Sequence, residues 1–293
     1  MQTAELVREQ PKQTIEGKAA PTGIKTMLFH VHDDESLDTR LQVALSLARV
    51  FGAHLHLLHV NPIEAYTVAD AYGTLVNRGI VEILEEEAQK LKARIEKELS
   101  SEDVTWDYEE VTGVLLPHLI QCAALADLVI TGRQPQVRGF DRPAITLIGD
   151  LLSRVRSPLL VIGDETRDID LFGPAMIAWN GSYEAANAMR NAIPMLKLAS
   201  QVRLVSVEEP KHQQFPSTRA MEYLSRHGIS AELTERPVLA YTVEEELLDQ
   251  ADVDRADYIV MGAYSHNRAG EFLFGGVTRS LLKECPTSLL MAH

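Results

Sequence analysis

Apolar and polar positions fall in blocks along this chain, and the blocks follow one order twice. Short apolar runs at Met27–Val31, Ala53–Val60, Leu128–Thr131 and Pro158–Ile162 read as buried strands, and Val104–Glu110 as a more polar one. Between them, apolar residues recur every three or four positions. Leu37, Leu41, Ala44, Leu45, Ala48 and Phe51 make one such stripe, with Ser36 placed to cap the helix it predicts. A long acidic helix is expected from about Thr74 to Leu99, and shorter ones over Val114–Leu125 and Ala144–Val155. From Pro174 the order returns. Pro174–Trp179, Gln201–Val207 and Ala231–Arg236 read as strands, and Ser182 caps a helix carrying Ala185, Ala186, Met189 and Ile193. A short helix is expected over Ser217–His227, and Thr242 with Glu245 forms a capping box that opens another.

Matching points in the two halves keep a regular offset. Val60 pairs with Val207 about 147 residues on, and Gly132 with Gly262 about 130 on. The difference lies between the second and third strands, where the second half has a shorter helix. Repeated strand–helix alternation predicts right-handed crossovers and a parallel sheet, with ligands outside the carboxyl ends of the strands. The fold class is therefore α/β, as a tandem duplication of one Rossmann-like unit.

The last of these units holds the candidate chemistry. Tyr258–Met261 stops at Gly262; a polar loop follows, and Gly275-Gly276 opens a helical pattern with Val277, Leu281 and Leu282 on one side, ended by Pro286. Ser288–Ala292 is the closing strand. A strand that runs through a glycine loop into a helix N-terminus cradles anions, because backbone N–H groups and the helix dipole point at the same place.

The run of Gly262, two residues, Ser265, nine residues, Gly275 and Gly276 resembles the loop of universal stress proteins. The ATP-binding members carry Gly, two residues, Gly, nine residues, Gly, then Ser or Thr. Here Ser265 stands where the family has its second glycine, and Gly276 where it has a hydroxyl; Thr278 offers a hydroxyl nearby. The resemblance covers both halves. It implies HUP-type domains at 23–163 and 174–293, a tail at 1–22 and a linker at 164–173. Each domain would be a five-stranded sheet of order 3-2-1-4-5, and the two fifth strands, Pro158–Ile162 and Ser288–Ala292, would pair in an intramolecular pseudo-dimer, with a homodimer left open. It also implies an adenine nucleotide, ATP or AMP, in the second copy. Asn180 stands where the family usually has an aspartate that contacts the nucleoside, and Val207 where a backbone group meets adenine. Asn180-Gly181-Ser182 equally fits a plain turn and helix cap. His266, Arg268 and Arg279 could face phosphates or solvent.

The first copy keeps less of the loop. Pro135 takes the second-glycine position and removes a donor, and Gly149-Asp150 is read as the start of its last helix, where an aspartate would repel phosphate. Arg133, Arg138 and Arg142 could compensate in part; no ATP is expected there. Five of the ten histidines lie on its first two strands: His30, His32, His54, His56 and His59. His30 and His32 share a face, as do His54 and His56, so a transition-metal site or a pH-sensitive cluster is geometrically open, although hydrogen-bonded core histidines are the favoured reading.

Composition narrows the rest. A net charge of −14 argues against nonspecific binding to nucleic acid or anionic membrane. Two cysteines, Cys122 and Cys285, fit reduced thiols in a cytoplasmic protein, and no apolar run reaches membrane-spanning length. Residues 1–22 lack periodicity and the apolar core of a signal peptide. No Gly-x-Ser-x-Gly elbow, P-loop, HExxH or Cys-x-x-Cys is present, so a non-enzymatic role is expected, with weak ATP hydrolysis left open. The expectation is a stress-response module with a degenerate nucleotide site, the rival being an interaction protein that binds no nucleotide.

Overall fold

The computed structural model of the chain describes residues 23–62, 67–70, 73–76, 78–133, 144–163, 169–208, 215–237, 242–263 and 276–293. The expectations for residues 1–22, for Pro135, Arg138 and Arg142, for residues 164–168 of the linker and for Ser265, His266, Arg268 and Gly275 lie outside them.

The first copy runs β1 (Thr26–Val31), α1 (Leu37–Phe51), β2 (His54–Pro62), β3 (Thr67–Asp70), β4 (Gly73–Val76), α2 (Arg78–Leu99), β5 (Trp106–Gly113), α3 (Leu115–Ala123), β6 (Leu128–Gly132), α4 (Ala144–Leu152) and β7 (Leu159–Ile162). The second runs β8 (Pro174–Trp179), α5 (Tyr183–Leu196), β9 (Gln201–Glu208), α6 (Ser217–Arg226), β10 (Ala231–Pro237), α7 (Val243–Asp254), β11 (Tyr258–Gly262), α8 (Gly276–Glu284) and β12 (Ser288–Ala292). Each copy is parallel, with its third, second, first, fourth and fifth principal strands side by side. The two are fused into one ten-stranded sheet, β10-β9-β8-β11-β12-β7-β6-β1-β2-β5.

Fusion occurs at the two fifth strands. β12 pairs antiparallel with β7, setting Leu290 opposite Leu160, and both strands are buried throughout. Arg133 donates to the Thr287 carbonyl at 2.7 Å, and the Gly163 N–H to the Ser288 hydroxyl at 3.3 Å, so polar groups as well as apolar ones cross the junction. Two apolar edges that would each invite aggregation cover one another. The outer edges, β10 and β5, carry Glu232, Glu235, Asp107, Glu109 and Glu110 instead, and charge on an edge discourages further pairing.

Helices cover both faces. Side chains of α1, α2, α5 and α6 fill one apolar layer, and those of α3, α4, α7 and α8 the other; each layer runs through both copies. The Thr242–Glu245 capping box is present in both directions.

Three local expectations are corrected. The helix expected from Thr74 begins at Arg78, and the antiparallel ribbon β3–β4 precedes it. Thr67, Val68, Thr74 and Val76 are β-branched, which favours strand over helix at that spot. Ser36 makes no capping bond to α1: its hydroxyl instead donates to Asp34 and accepts from Arg40. Gly149-Asp150 lies in the last turns of α4, not at its start, because the buried stripe of Ile148, Leu151 and Leu152 sets the helix earlier in the chain. The phosphate-repelling role expected of Asp150 at a helix mouth therefore falls away.

Candidate functional site

In the second copy the chain leaves β8 for β9 on one side, and after β10 returns to β11 on the other. The carboxyl ends of these strands border a switch point, where open α/β sheets hold ligands. Val207 is near the end of β9, Asn180 follows β8, Gly262 ends β11, and Gly276 opens α8. Four of the expected site residues thus gather at one end of the sheet.

Their environments differ. Asn180 is exposed, and its Oδ1 accepts from the Ser182 N–H at 3.2 Å; Gly181 takes the left-handed φ of 70°, and the Ser182 hydroxyl accepts from the Ala185 N–H at 3.1 Å. The turn-and-cap role of this triplet is therefore real. Val207 is 6% exposed, so only its backbone could meet a ligand. Gly262 is a packing glycine: a Cβ there would sit 2.4 Å from the Ala185 nitrogen in the first turn of α5. Gly276 is exposed, and among the described residues nothing lies within 4 Å of where its Cβ would be. Thr278 is 5% exposed, on the packed side of α8. Arg279 is exposed.

Three aromatic residues flank Asn180. Trp179 donates to the Phe215 carbonyl at 3.3 Å, and Tyr183, 64% exposed, meets the Phe215 ring edge-on at 5.0 Å. The sequence reading passed over Tyr183 and Phe215. Their signal was position only, one at the start of a helix and one just before another. His293 was also missed; its Nδ1 contacts the Ala263 carbonyl at 2.9 Å, directly after Gly262.

The first copy has the same turn. Asp34 Oδ1 accepts from the Ser36 N–H at 2.9 Å, just as Asn180 does from Ser182, so Asp34 is the counterpart of Asn180. This copy keeps the carboxylate that the second has lost. It is not free for a ligand, because Arg40, with a side chain 1% exposed, pairs with Asp34 at 2.6 Å and donates to the His32 carbonyl at 2.9 Å. The guanidinium also packs on Gly132, where a Cβ would lie 2.9 Å from Nη1. An internal cation fills the first switch point.

The five histidines divide. His30 is a core residue as expected, 3% exposed, with Nδ1 3.2 Å from the Thr131 hydroxyl. Burial, then the neighbouring His32, Arg40 and His59, hold its pKa well below the ordinary 6.5. His32 and His59 are also lowered, by burial first, with nearby carboxylates opposing. His54 and His56 depart from the expectation: they are 42% and 21% exposed and flank Asp107.

Histidine burial has a measurable consequence. Below about pH 6.5 the unfolded chain protonates His30 and the folded chain does not, so stability falls as pH drops. We expect the His30→Gln variant to lose about 1.4 kcal/mol per pH unit of that slope between pH 6.5 and 5. Urea midpoints across this range measure it, and equal slopes in variant and wild type would refute it.

A family model described as the universal stress protein family matches residues 23–161 and again 172–293. The chain belongs to the universal stress protein family. It is a tandem member, with two Rossmann-like domains. Solved structures agree on this architecture. A universal stress protein from Archaeoglobus fulgidus DSM 4304 superposes with a TM-score of 0.70 at 14% identity, over 91% of this chain and 95% of that one. A protein of Pseudomonas aeruginosa UCBPP-PA14 assigned to the same family gives 0.57 at 17% identity, over 92% and 93%. No curated protein matches this universal stress protein. Among its described residues, no helix is long and apolar enough to cross a membrane.

Proposed function

We propose that this universal stress protein is a cytoplasmic stress-response module whose second domain binds an adenine nucleotide, ATP or AMP, without catalysing a reaction on it. The observation that carries the reading is the contrast between the two switch points. Arg40 occupies the first, whereas the ends of β8 and α8 at the second present the exposed Asn180 and Gly276. In this reading the nucleoside lies against Asn180, the Val207 backbone and the face of Tyr183, and the phosphates take the N–H groups at the mouth of α8. The grip is weak, because Gly276 lacks a hydroxyl and Thr278 is turned into the core; each missing bond costs about 1 kcal/mol.

A second reading, an interaction protein without nucleotide, is favoured by the use of Asn180 Oδ1 within its own turn. Calorimetric titration with ATP and with AMP separates the two. We expect one nucleotide per chain, bound more than about tenfold more weakly by Gly276→Asp, since a carboxylate at a helix mouth opposes phosphate. Unchanged binding in that variant would move the site elsewhere. No heat in the wild type would favour the interaction reading.

A further inference from the structure

At the opposite edge of the sheet from the proposed nucleotide site, three elements bring unlike donor groups together. β2 supplies His56, its register partner strand β5 supplies Asp107 and Glu109, and the last turn of α3 supplies Cys122. His56 Nε2 lies 3.1 Å from Glu109 Oε2, and Cys122 Sγ lies 3.8 Å from the same oxygen. One ligand atom from each of the three residues falls within 4.8 Å of the others. Donors around a tetrahedral zinc ion stand about 3.3–3.8 Å apart, given bonds of about 2.0–2.3 Å. The cluster therefore sits close to the spacing such an ion would impose.

We propose that His56, Glu109 and Cys122 form a binding site for a zinc-type divalent transition-metal ion on the first domain.

Four features support the assignment. Imidazole, thiolate and carboxylate together suit a borderline-soft cation and not magnesium or calcium, which take oxygen ligands. His56 is already oriented: its Nδ1 bonds Asp107 Oδ2 at 2.6 Å, which turns Nε2 toward Glu109 and Cys122. A carboxylate behind a ligating histidine is the usual outer support of a metal site. Asp107 is itself held from the other side by His54 Nε2 at 2.5 Å.

Accessibility also fits. Glu109 is 45% exposed and His56 21% exposed, so an ion can enter from solvent, and water can complete a fourth position. On binding, the ion displaces the thiol proton of Cys122, which passes to solvent, and no bond to sulfur is oxidised. The ion would clip the end of α3 to the outermost strand. The competing arrangement is His56 bridging two carboxylates, Asp107 and Glu109, with no ion.

The test uses the full chain, without an affinity tag, reduced and stripped of metal. Cobalt(II) is titrated first, because thiolate ligation gives a charge-transfer absorption that imidazole and carboxylate do not. Zinc affinity is then measured by competition with a chromogenic chelator. We expect one equivalent of cobalt to develop the thiolate absorption and zinc to abolish it. Cys122→Ser should lose the absorption, and both Cys122→Ser and His56→Gln should weaken zinc at least about tenfold, as should Asp107→Asn through its hold on His56. Cys285→Ala, whose thiol lies in the core, should keep the absorption. His56, Asp107 and Cys122 are partly exposed, and circular dichroism confirms that each variant is folded. Absence of the absorption in the wild type, or zinc affinity unchanged by both Cys122→Ser and His56→Gln, would overturn the site and leave His56 as a bridge between two carboxylates.

Discussion

Gly262→Val is expected to destabilise the second domain by more than about 3 kcal/mol, at the upper end of what overpacking costs. The added Cβ would lie 2.4 Å from the Ala185 nitrogen and 2.5 Å from the Glu184 carbonyl carbon, both backbone atoms in the first turn of α5. Neither can rotate away, so the helix must move off the sheet. Gly276→Val provides the contrast. That position is exposed, and among the described residues nothing lies within 4 Å of its Cβ site, so its stability should stay within about 0.5 kcal/mol of wild type. Urea unfolding measures both. A wild-type midpoint for Gly262→Val would show that α5 does not pack as described. Loss of ligand binding in that variant therefore cannot locate a site, whereas loss in a folded Gly276 variant can.

Arg40→Met should cost about 2–3 kcal/mol, somewhat below the range for breaking a fully buried ion pair because Asp34 keeps 24% of its surface in water. The substitution strips a donor from the Asp34 carboxylate, the His32 carbonyl and the Ser36 hydroxyl at once. Adding Asp34→Asn should recover part of the loss, since the stranded charge is then gone. A double-mutant cycle by urea unfolding gives the coupling. If Arg40→Met is as stable as wild type, or the double variant is no better than the single, the plug carries no stabilising pair.

The architecture was legible because its signal is local and repeated. Runs such as Leu128–Thr131 and Ser288–Ala292 are mostly apolar and are buried at every position, as strands covered on both faces must be. What escaped was decided by contacts between distant segments. Ser36 looks like a cap until Arg40, one turn on, takes its hydroxyl. Asp34 went unmatched to Asn180 because Glu35 replaces the glycine of the turn, and only the shared hydrogen bond reveals the equivalence. The pairing of His54 and His56 with Asp107 depends on the β2–β5 register, which places His56 beside Asp107. Period-two spacing put those histidines on one face but could not say what stood opposite. At the proposed nucleotide site, the family resemblance named Asn180, Val207, Gly262 and Gly276, which the fold places at one sheet end. It could not tell a glycine that admits a helix from one that faces solvent.

The antiparallel join of β7 and β12 reverses strand direction midway across the sheet. All strands of one domain point their carboxyl ends one way, and all strands of the other point theirs the opposite way. The two switch points consequently open at opposite poles of the molecule, and no single small ligand can span them. A partner docked at one pole is blind to the other, which leaves each pole free to change its chemistry while the seam stays constant. Because a single chain supplies both sides of the seam, their meeting is unimolecular and independent of dilution. The first domain thus acts as a permanently attached subunit, whatever its own pole has come to hold.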